Sequence, residues 1–418
     1  MSSKMWSLVL ALFAALFAVQ TLATQVDDDV GLTVMQLIEK RGYEVEEHKV
    51  TTKDRYVLTM YRIPKSYDET QSNTPAAANK PAVYVIHGLF DSSFTYVNNF
   101  RTQSLAFMLA DAGYDVWLGN NRGTVWSNEH LDLSTSDPQY WDFSWEQMAD
   151  YDTPAMLEYV LAQTKRPMIS YIGHSEGTMI GFAHFSSNQK LAKKISYYGA
   201  LGPVALLGNM QALPLKALAN LNAEKVLQLL GNGPFAPKSS FLQEIIGSHT
   251  CALTGKCDNV INMIMGPSTN VNQSRFDVYI GQTPSGTSVK NIAHFAQGIR
   301  EDTFARFDYG CKCSQNMPIS LCLSSLCKNK EVYGTFNPPA WQLAVMYYPR
   351  TALFTGTVDW MAVPKDVKRL RDALPSSTII SQKTVTYNHM DFTWAINANT
   401  LIYKDLIEEM KSYEGKGY

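Results

Sequence analysis

The residues best suited to chemistry are Gly173-His174-Ser175-Glu176-Gly177, in which a serine stands between two glycines. A serine hydroxyl becomes a nucleophile when a base can reach it, which requires a tight, exposed turn. The strand-forming run Met168–Ile172 precedes the pentapeptide, and a helix is predicted over residues 178–185. A G-x-S-x-G serine in this context is typical of acyl transfer. The pentapeptide alone is a weak signal, because it also occurs by chance.

A second stretch, His87-Gly88-Leu89, follows the buried apolar strand predicted over residues 81–86. Acyl transfer needs backbone N–H groups that hold the oxyanion of the tetrahedral intermediate. We predict that these donors are the N–H groups of Leu89 and of Glu176, the residue after the serine. Since His87 precedes Ser175 in the chain, we expect it to brace the loop.

The elements that must position these residues alternate between strand and helix. Strands are predicted over residues 44–50, 56–63, 81–86, 168–172, 195–199, 347–354 and 383–387, and residues 113–127 are predicted to form a strand followed by a loop. Helices are predicted over residues 33–41, 103–112, 178–185, 365–373 and 393–413, and from a cap at Ser144 towards Thr164. The first two strands suit an antiparallel sheet edge, and residues 65–80 suit a surface loop. The alternation predicts a mainly parallel sheet covered on both faces.

The alternation is lost over about 150 residues after the strand at 195–199. Apolar helical stretches are predicted there over residues 212–230, 241–247 and 259–265. We predict that residues 206–335 form a mainly helical cap, inserted into a core made of residues 24–205 and 336–418. The apolar stretch from Leu206 to Met265 is the expected lid.

These features predict the α/β-hydrolase fold, in which nucleophile, acid and histidine follow in that order along the chain. The histidines after Ser175 are His184, His249, His294 and His389. Of these, His389 follows the last predicted strand, where a loop could bring it to the serine. Asp359 also follows a strand and is the predicted acid. Asp366, inside a predicted helix, is the alternative, and Asp391 is too close along the chain to orient His389 easily.

The N-terminus predicts secretion. Lys4 precedes the apolar run Trp6–Val19 and the small residues of Thr21-Leu22-Ala23, which together predict a cleaved signal peptide over residues 1–23. An uncleaved anchor is the alternative. No later segment has transmembrane length, so the mature chain is expected to be soluble in an oxidising compartment. Asn272-Gln273-Ser274 then becomes a glycosylation acceptor.

The charge and the cysteines of the chain argue against nucleic acid as a partner and against a zinc site. The net charge of −2 and a charged content of 18% do not suit nucleic-acid binding. The cysteines Cys251 and Cys257 could bridge a short loop, and four others cluster at Cys311, Cys313, Cys322 and Cys327. Zinc is the alternative for this cluster, but its spacing is atypical for zinc and the compartment favours disulfides. No metal site or organic cofactor is expected.

Six stretches in fixed order support a family resemblance. Besides the two already described, they are residues 113–123 (GYDVWLGNNRG), 140–148 (YWDFSWEQM), 284–288 (PSGTS) and 387–392 (YNHMDF). Together they resemble the acid lipase family, the gastric, lysosomal acid and insect lipases of the α/β-hydrolase fold, from about residue 31 to the C-terminus. The resemblance implies Ser175 as nucleophile, Asp359 as acid, His389 as base, and a cap with a movable lid.

The chain departs from the family pattern at three places. Glu176 replaces the usual glutamine, Arg55 replaces an expected turn glycine, and residues 311–328 resemble an insertion, either a disulfide-braced loop or an error in the gene model. A Glu176 carboxylate near the oxyanion would oppose its charge, so its protonation would favour activity at acid pH. The alternative is that the side chain pairs with a nearby Arg or Lys.

The resemblance implies a secreted or lysosomal lipase that hydrolyses triacylglycerols or sterol esters at a lipid–water interface. Two alternatives stay open. One is a catalytically silent lipid-binding protein on the same fold, and the other is an esterase for small soluble esters. The sequence does not predict the preferred lipid or the oligomeric state.

Overall fold

The structure is a computed structural model, and it describes residues 27–220, 231–236, 261–262, 264–312 and 326–418. The predicted signal peptide and the predicted helix at 241–247 lie outside these residues. The strands are β1 (Glu46–Thr51), β2 (Tyr56–Ile63), β3 (Ala82–Ile86), β4 (Asp115–Gly119), β5 (Glu129–His130), β6 (Ile169–His174), β7 (Ile195–Leu201), β8 (Pro234–Phe235), β9 (Thr287–Ser288), β10 (Thr351–Gly356) and β11 (Ile379–Val385).

Helices cover this framework and connect its strands. The α-helices are α1 (Val34–Lys40), α2 (Tyr67–Gln71), α3 (Leu105–Asp111), α4 (Trp145–Gln147), α5 (Thr153–Thr164), α6 (Glu176–Ser187), α7 (Gln189–Ala192), α8 (Leu213–Asn220), α9 (Phe276–Ile280), α10 (Val289–Glu301), α11 (Lys328–Tyr333), α12 (Pro364–Ala373), α13 (Asp391–Trp394) and α14 (Lys404–Ser412). Two π-helical turns, Met148–Asp152 and Asn399–Tyr403, lead into α5 and α14.

The main sheet has the strand order β1-β2-β4-β3-β6-β7-β10-β11, with β5 paired to β2. Strands β1 and β2 are antiparallel to each other, and β2 is antiparallel to β4. From β4 to β11 all neighbouring strands are parallel. The predicted mainly parallel sheet with an antiparallel edge is therefore confirmed.

An apolar layer packs on each face of the sheet, as β3 shows. Tyr84 and Ile86 point into one buried layer, and Val83 and Val85 point into the other. A parallel strand covered on both faces must be apolar at every position, so it appears in the sequence as a continuous apolar run. This is why the inner strands could be recognised from the sequence.

The chain leaves the main sheet after β7 and returns to it at β10, which pairs directly with β7. Within the described residues, the intervening chain adds only the short pair β8–β9, in a separate sheet. Helix α8 packs against α10 in this region. The predicted helix at 212–230 is thus observed as α8 over Leu213–Asn220, and residues 221–230 lie outside the description.

Several predicted boundaries are wrong. The loop predicted over residues 65–80 contains α2, because Ser66 and Glu69 form a capping box. The helix capped by Ser144 is interrupted by the π-helical turn before α5. The last strand spans Ile379–Val385 instead of 383–387, because a half-exposed edge strand lacks a strong apolar pattern. The strand expected at 347–354 begins only at Thr351.

The turn between β1 and β2 explains one departure from the family pattern. Arg55 has φ +76°, in the left-handed region that favours glycine. Its guanidinium pairs with Asp132 on the surface, next to β5. The backbone conformation that a glycine would adopt is therefore kept by an arginine at this position.

Candidate active site

Ser175 lies on the turn between β6 and α6, with φ +53° and ψ −117°. A positive φ is strained for a residue with a side chain, and such strain clusters at functional sites. The neighbouring glycines make the turn possible. A Cβ on Gly173 would lie 2.6 Å from the carbonyl oxygen of Gly177, and a Cβ on Gly177 would lie 2.6 Å from that of Ile86. Ser175 is left half-buried, whereas its neighbours His174 and Glu176 are buried.

His389 contacts both other members of the predicted triad. Its Nε2 lies 2.6 Å from Oγ of Ser175, and its Nδ1 lies 2.8 Å from Oδ2 of Asp359. The side chains of His389 and Asp359 are only 3% and 0% exposed. In this arrangement Nδ1–H donates to the carboxylate, and Nε2 can accept the serine proton. The structure therefore brings together the three residues that the sequence selected.

Asp359 is held in place through its second oxygen. Oδ1 accepts hydrogen bonds from the backbone N–H groups of Met361 and Ala362, each at 2.8 Å. The carboxylate therefore presents Oδ2 to His389 with little freedom to rotate.

His174 also contacts the histidine loop, a role that the sequence did not predict. Its Nε2 lies 2.9 Å from the carbonyl oxygen of His389. Burial lowers the pKa of His174 to about 3, so the ring is neutral and its Nε2–H donates to that carbonyl. The only sequence signal was its position directly before Ser175. His174 thus ties the serine turn to the loop that carries the base.

The predicted oxyanion loop lies against the serine. A Cβ on Gly88 would lie 2.9 Å from Cβ of Ser175, so only glycine fits there. His87 braces this loop as expected, because its Nδ1 lies 2.8 Å from the Gly88 carbonyl oxygen and its Nε2 accepts from the Asn121 N–H at 3.1 Å. Burial lowers the pKa of His87 to about 4. This arrangement places Leu89, the next residue, beside the site.

Glu176 is buried beside the serine, with 2% exposure. Its Oε1 accepts a 2.7 Å hydrogen bond from Nδ2 of Asn291 on α10. No ion pair of Glu176 occurs within the described part of the chain, so the alternative of pairing with Arg or Lys is wrong there. Burial raises the pKa of Glu176 to about 7, and the Asn291 hydrogen bond only partly opposes this shift.

The other predicted candidates lie apart from the serine. Asp366 bonds to Asn209 and Arg369, and Asp391 bonds to Ser268, Asn270 and the Asn388 N–H. His184 bonds to the Ala149 carbonyl, and His294 stacks on Trp145. His249 lies outside the described residues.

The structure describes two of the six cysteines predicted to form disulfides, and it describes the predicted glycosylation site. Cys311 and Cys327 form a disulfide, which supports the disulfide alternative over zinc for these two residues. The other four cysteines, Cys251, Cys257, Cys313 and Cys322, lie outside the described residues. Asn272 is half-buried, and its Oδ1 accepts a 2.8 Å hydrogen bond from Oγ of Ser274.

Within the described ranges, no helix has the length and apolar content that a membrane span requires.

Two family models match the chain. One, described as a partial alpha/beta-hydrolase lipase region, matches residues 34–100, and the other, described as alpha/beta hydrolase fold, matches residues 81–395. A soluble variant of monoglyceride lipase from Saccharomyces cerevisiae has a TM-score of 0.52 at 15% identity, covering 93% of this chain and 98% of that one. This likeness shows the fold alone.

Curated relatives extend along nearly the whole chain. Lipase member K of Homo sapiens is 37% identical, covering 98% of this chain and 99% of its own. Gastric triacylglycerol lipase of Rattus norvegicus is 37% identical over 91% and 92% of the two chains. Lysosomal acid lipase/cholesteryl ester hydrolase of Homo sapiens is 36% identical over 94% of each. Identity at this level and extent, on this fold, shows that the chain belongs to the acid lipase family of α/β-hydrolases.

Proposed function

We propose that this protein is a lipase that hydrolyses the ester bonds of neutral lipids, triacylglycerols or sterol esters, with Ser175, His389 and Asp359 as its catalytic triad. One observation carries the proposal. The hydrogen-bonded series from Ser175 Oγ to His389 Nε2, and from His389 Nδ1 to Asp359 Oδ2, has distances of 2.6 and 2.8 Å. These are the contacts that activate a serine for attack on an ester.

In the first half of the reaction, Ser175 Oγ attacks the ester carbonyl carbon while His389 Nε2 takes the hydroxyl proton. Asp359 stabilises the imidazolium that forms. The Leu89 and Glu176 N–H groups donate to the oxyanion of the tetrahedral intermediate. His389 then returns the proton to the leaving alcohol, which is the diacylglycerol or the sterol. An acyl-enzyme on Ser175 remains.

In the second half, His389 removes a proton from water, and the resulting hydroxide attacks the acyl carbon. The same N–H donors hold the second oxyanion. Collapse of this intermediate releases the fatty acid, and the proton on His389 returns to Ser175 Oγ. No step needs a metal ion or an organic cofactor.

The substrate class rests on the relatives and on the inserted chain between β7 and β10. The names of the relatives include a triacylglycerol lipase and a cholesteryl ester hydrolase. We assign residues 206–335 to a cap that borders the acyl chains, since long acyl chains need a large apolar wall. The intact triad contacts favour catalysis over a silent lipid-binding role.

A panel of three substrates tests the proposal. Hydrolysis of a dissolved short-chain ester, a triacylglycerol emulsion and a cholesteryl ester is measured at pH 5 and at pH 8. We expect faster release of acid from at least one of the two long-chain lipids than from the short-chain ester. Hydrolysis of the short-chain ester alone would favour the small-ester alternative, and no hydrolysis of any of them would favour the silent lipid-binding protein.

We further propose that the protein acts at the lipid–water interface, supported by the exposed apolar side chain of Leu213 on α8, which is 70% exposed. Turnover should then rise sharply once the substrate exceeds its solubility. Leu213→Ser should lower hydrolysis of the emulsion and leave that of the dissolved ester unchanged. Leu131→Ser, at another exposed leucine beside β5, is the matched control. A smooth saturation curve through the solubility limit would contradict interfacial action.

The names of the gastric and lysosomal relatives support a secreted or a lysosomal location for this chain. Fractionation of cells that express the full chain tests this. Recovery in the medium or in lysosomes is expected, and recovery in the cytosol would contradict it.

A further inference from the structure

A short segment of the inserted chain lies between the loops that carry the acid and the base. We call residues 265–270 the strap. The carbonyl oxygen of Met265 accepts hydrogen bonds from the backbone N–H groups of Trp360 and His389, each at 3.2 Å. Trp360 directly follows Asp359. One acceptor of the strap therefore holds both the acid loop and the histidine loop.

Gly266 continues these contacts at very close range. Its carbonyl oxygen accepts a 2.8 Å hydrogen bond from Nδ2 of Asn388, the residue before His389. Gly266 has φ +102°, and a Cβ built on it would lie 2.0 Å from the carbonyl oxygen of Val358, directly before Asp359. The strap thus packs against the backbone of the acid loop at a distance that only glycine permits.

Ser268 and Asn270 bind the histidine loop through a buried carboxylate. Ser268 Oγ donates a 2.6 Å hydrogen bond to Oδ1 of Asp391, and Asn270 Nδ2 donates to Oδ2 at 3.1 Å. The same Oδ2 accepts from the Asn388 N–H at 2.9 Å. Asp391 is 0% exposed. It therefore connects the strap to the residue that directly precedes the base.

His389 is consequently held through its backbone from two sides. Its N–H donates to Met265 of the strap, and its carbonyl oxygen accepts from His174 of the serine turn. The side chains of the triad come from three different loops, after β6, β10 and β11. Loops hold catalytic side chains less precisely than helices and strands do. A displacement of a catalytic group by about 1 Å can lower the rate of the catalysed reaction by about a hundredfold.

We propose that the strap is a positioning element of the triad, in which Ser268 acts through Asp391 to set the place of His389 relative to Asp359 and Ser175. The inserted chain then has a second role besides covering the site, because it ties the acid loop to the histidine loop. This inference rests on the proposed function, since it assigns residues that position the proposed triad. Ser268, Asn270 and Asp391 act as positioning residues, and none of them is assigned a contact with substrate.

The test uses the full chain with Ser268→Ala and two soluble probes. The first is the second-order rate constant for reaction with diethyl 4-nitrophenyl phosphate, in which Ser175 Oγ bonds to phosphorus, 4-nitrophenolate leaves and His389 takes the serine proton. The second is kcat and KM on a dissolved 4-nitrophenyl ester. We expect Ser268→Ala to lower both the labelling rate and kcat by about tenfold or more, with KM within twofold of wild type. Ser268→Thr, which keeps the hydroxyl donor, should restore most of both rates.

Ser381→Ala is the matched control, because Ser381 Oγ also donates to a carboxylate, that of Glu409, at 2.9 Å and away from the triad. It should leave the labelling rate within twofold of wild type. Wild-type labelling of a folded Ser268→Ala protein would overturn the proposal, as would a loss equal to that of Ser381→Ala. If Ser268→Ala does not fold, Asn270→Ala is tested in its place. Its labelling rate should fall below that of Ser381→Ala, by less than is expected for Ser268→Ala, because the Asn388 N–H still binds the same oxygen of Asp391. A labelling rate equal to that of Ser381→Ala would overturn the proposal.

The two proposals fail in different ways. Organophosphate labelling requires an activated serine but no lipid substrate. A wild-type protein that is not labelled at all would contradict the proposed hydrolase. A labelled wild type together with an equally reactive Ser268→Ala protein would contradict the strap alone.

Discussion

The side-chain amide of Asn291 donates a 2.7 Å hydrogen bond to the buried carboxyl of Glu176, the residue directly after Ser175. The orientation of the amide is set by Trp145, whose backbone N–H donates to Asn291 Oδ1 at 2.7 Å. Glu176 therefore faces a neutral donor instead of a cation, and burial raises its pKa to about 7. The carboxyl is mostly neutral in mildly acidic solution and becomes charged above neutral pH.

Glu176→Gln should move the alkaline limb of the pH–rate profile upward. If the charged carboxylate lay about 5 Å from the proposed oxyanion, it would oppose that charge by roughly 3 kcal/mol at an effective dielectric of about 20, a factor of about a hundred in rate. A glutamine keeps the shape and the backbone donor but cannot ionise. The measurement is kcat/KM on a dissolved ester from pH 4 to pH 9.

Asp91 shares this pH range, because burial also raises its pKa to about 7. It lies two residues after Leu89, so Asp91→Asn is the matched comparison for the pH profile. A shift with Asp91→Asn alone would assign the alkaline limb to Asp91. An unchanged profile in a folded Glu176→Gln protein would exclude Glu176 as its cause.

Glu176 should also make stability depend on pH. Its pKa rises from a reference of 4.5 to about 7 on folding, so the folded state holds the proton more tightly. The favourable contribution is complete below about pH 4.5 and is lost as the pH rises to about 7, which amounts to about 3 kcal/mol. Glu176→Gln should lack this loss. Urea unfolding at pH 4.5 and pH 7.5 measures it, and equal pH dependence in the two proteins would contradict the buried carboxyl.

Removal of the proposed nucleophile or base should abolish most activity. Ser175→Ala or His389→Ala is expected to lower turnover by roughly 10⁴-fold or more, because triad members act as one unit. The folded state should persist, which circular dichroism checks. Activity within tenfold of wild type in a folded variant would remove the triad assignment.

The acid can be tested by comparing two aspartates. Asp359→Asn should lower kcat strongly, although by less than loss of the serine, because it disturbs the tautomer of His389. Asp366→Asn should remain close to wild type, since Asp366 bonds to Asn209 and Arg369. The reverse ranking of the two variants would make Asp366 the acid.

Asn272 should carry a glycan when the chain passes through a eukaryotic secretory pathway. The side chain is half-buried and its sequon serine bonds to it at 2.8 Å. Peptide N-glycosidase should increase the electrophoretic mobility of the wild-type protein, and Asn272→Gln should abolish that shift. Ser274→Thr keeps the sequon and should keep the shift. A wild-type protein insensitive to the enzyme would contradict the assignment.

Local pattern was enough to predict the tight turn at Ser175 and the framework of the sheet. The glycines beside Ser175 predicted a tight turn, and continuous apolar runs predicted inner parallel strands. Both signals are read from short stretches of sequence, because a tight turn needs glycine beside it and a strand covered on both faces is apolar at every position. The order of strands along the chain also pointed to His389 and Asp359, which the structure places in contact with each other and, through His389, with Ser175.

Contacts between distant parts of the chain were decided only by the tertiary structure. Asn291 and Glu176 are hydrogen-bonded although they are 115 residues apart in the sequence, and His174 and His389 are 215 residues apart. Ser268 of the strap bonds to Asp391, which lies 123 residues further along the sequence. Such partners depend on how helices and loops pack around the sheet, and no periodicity in the sequence encodes that packing. The short helix α2 and the edge strand β11 were misjudged because capping and half-exposure leave only weak apolar patterns.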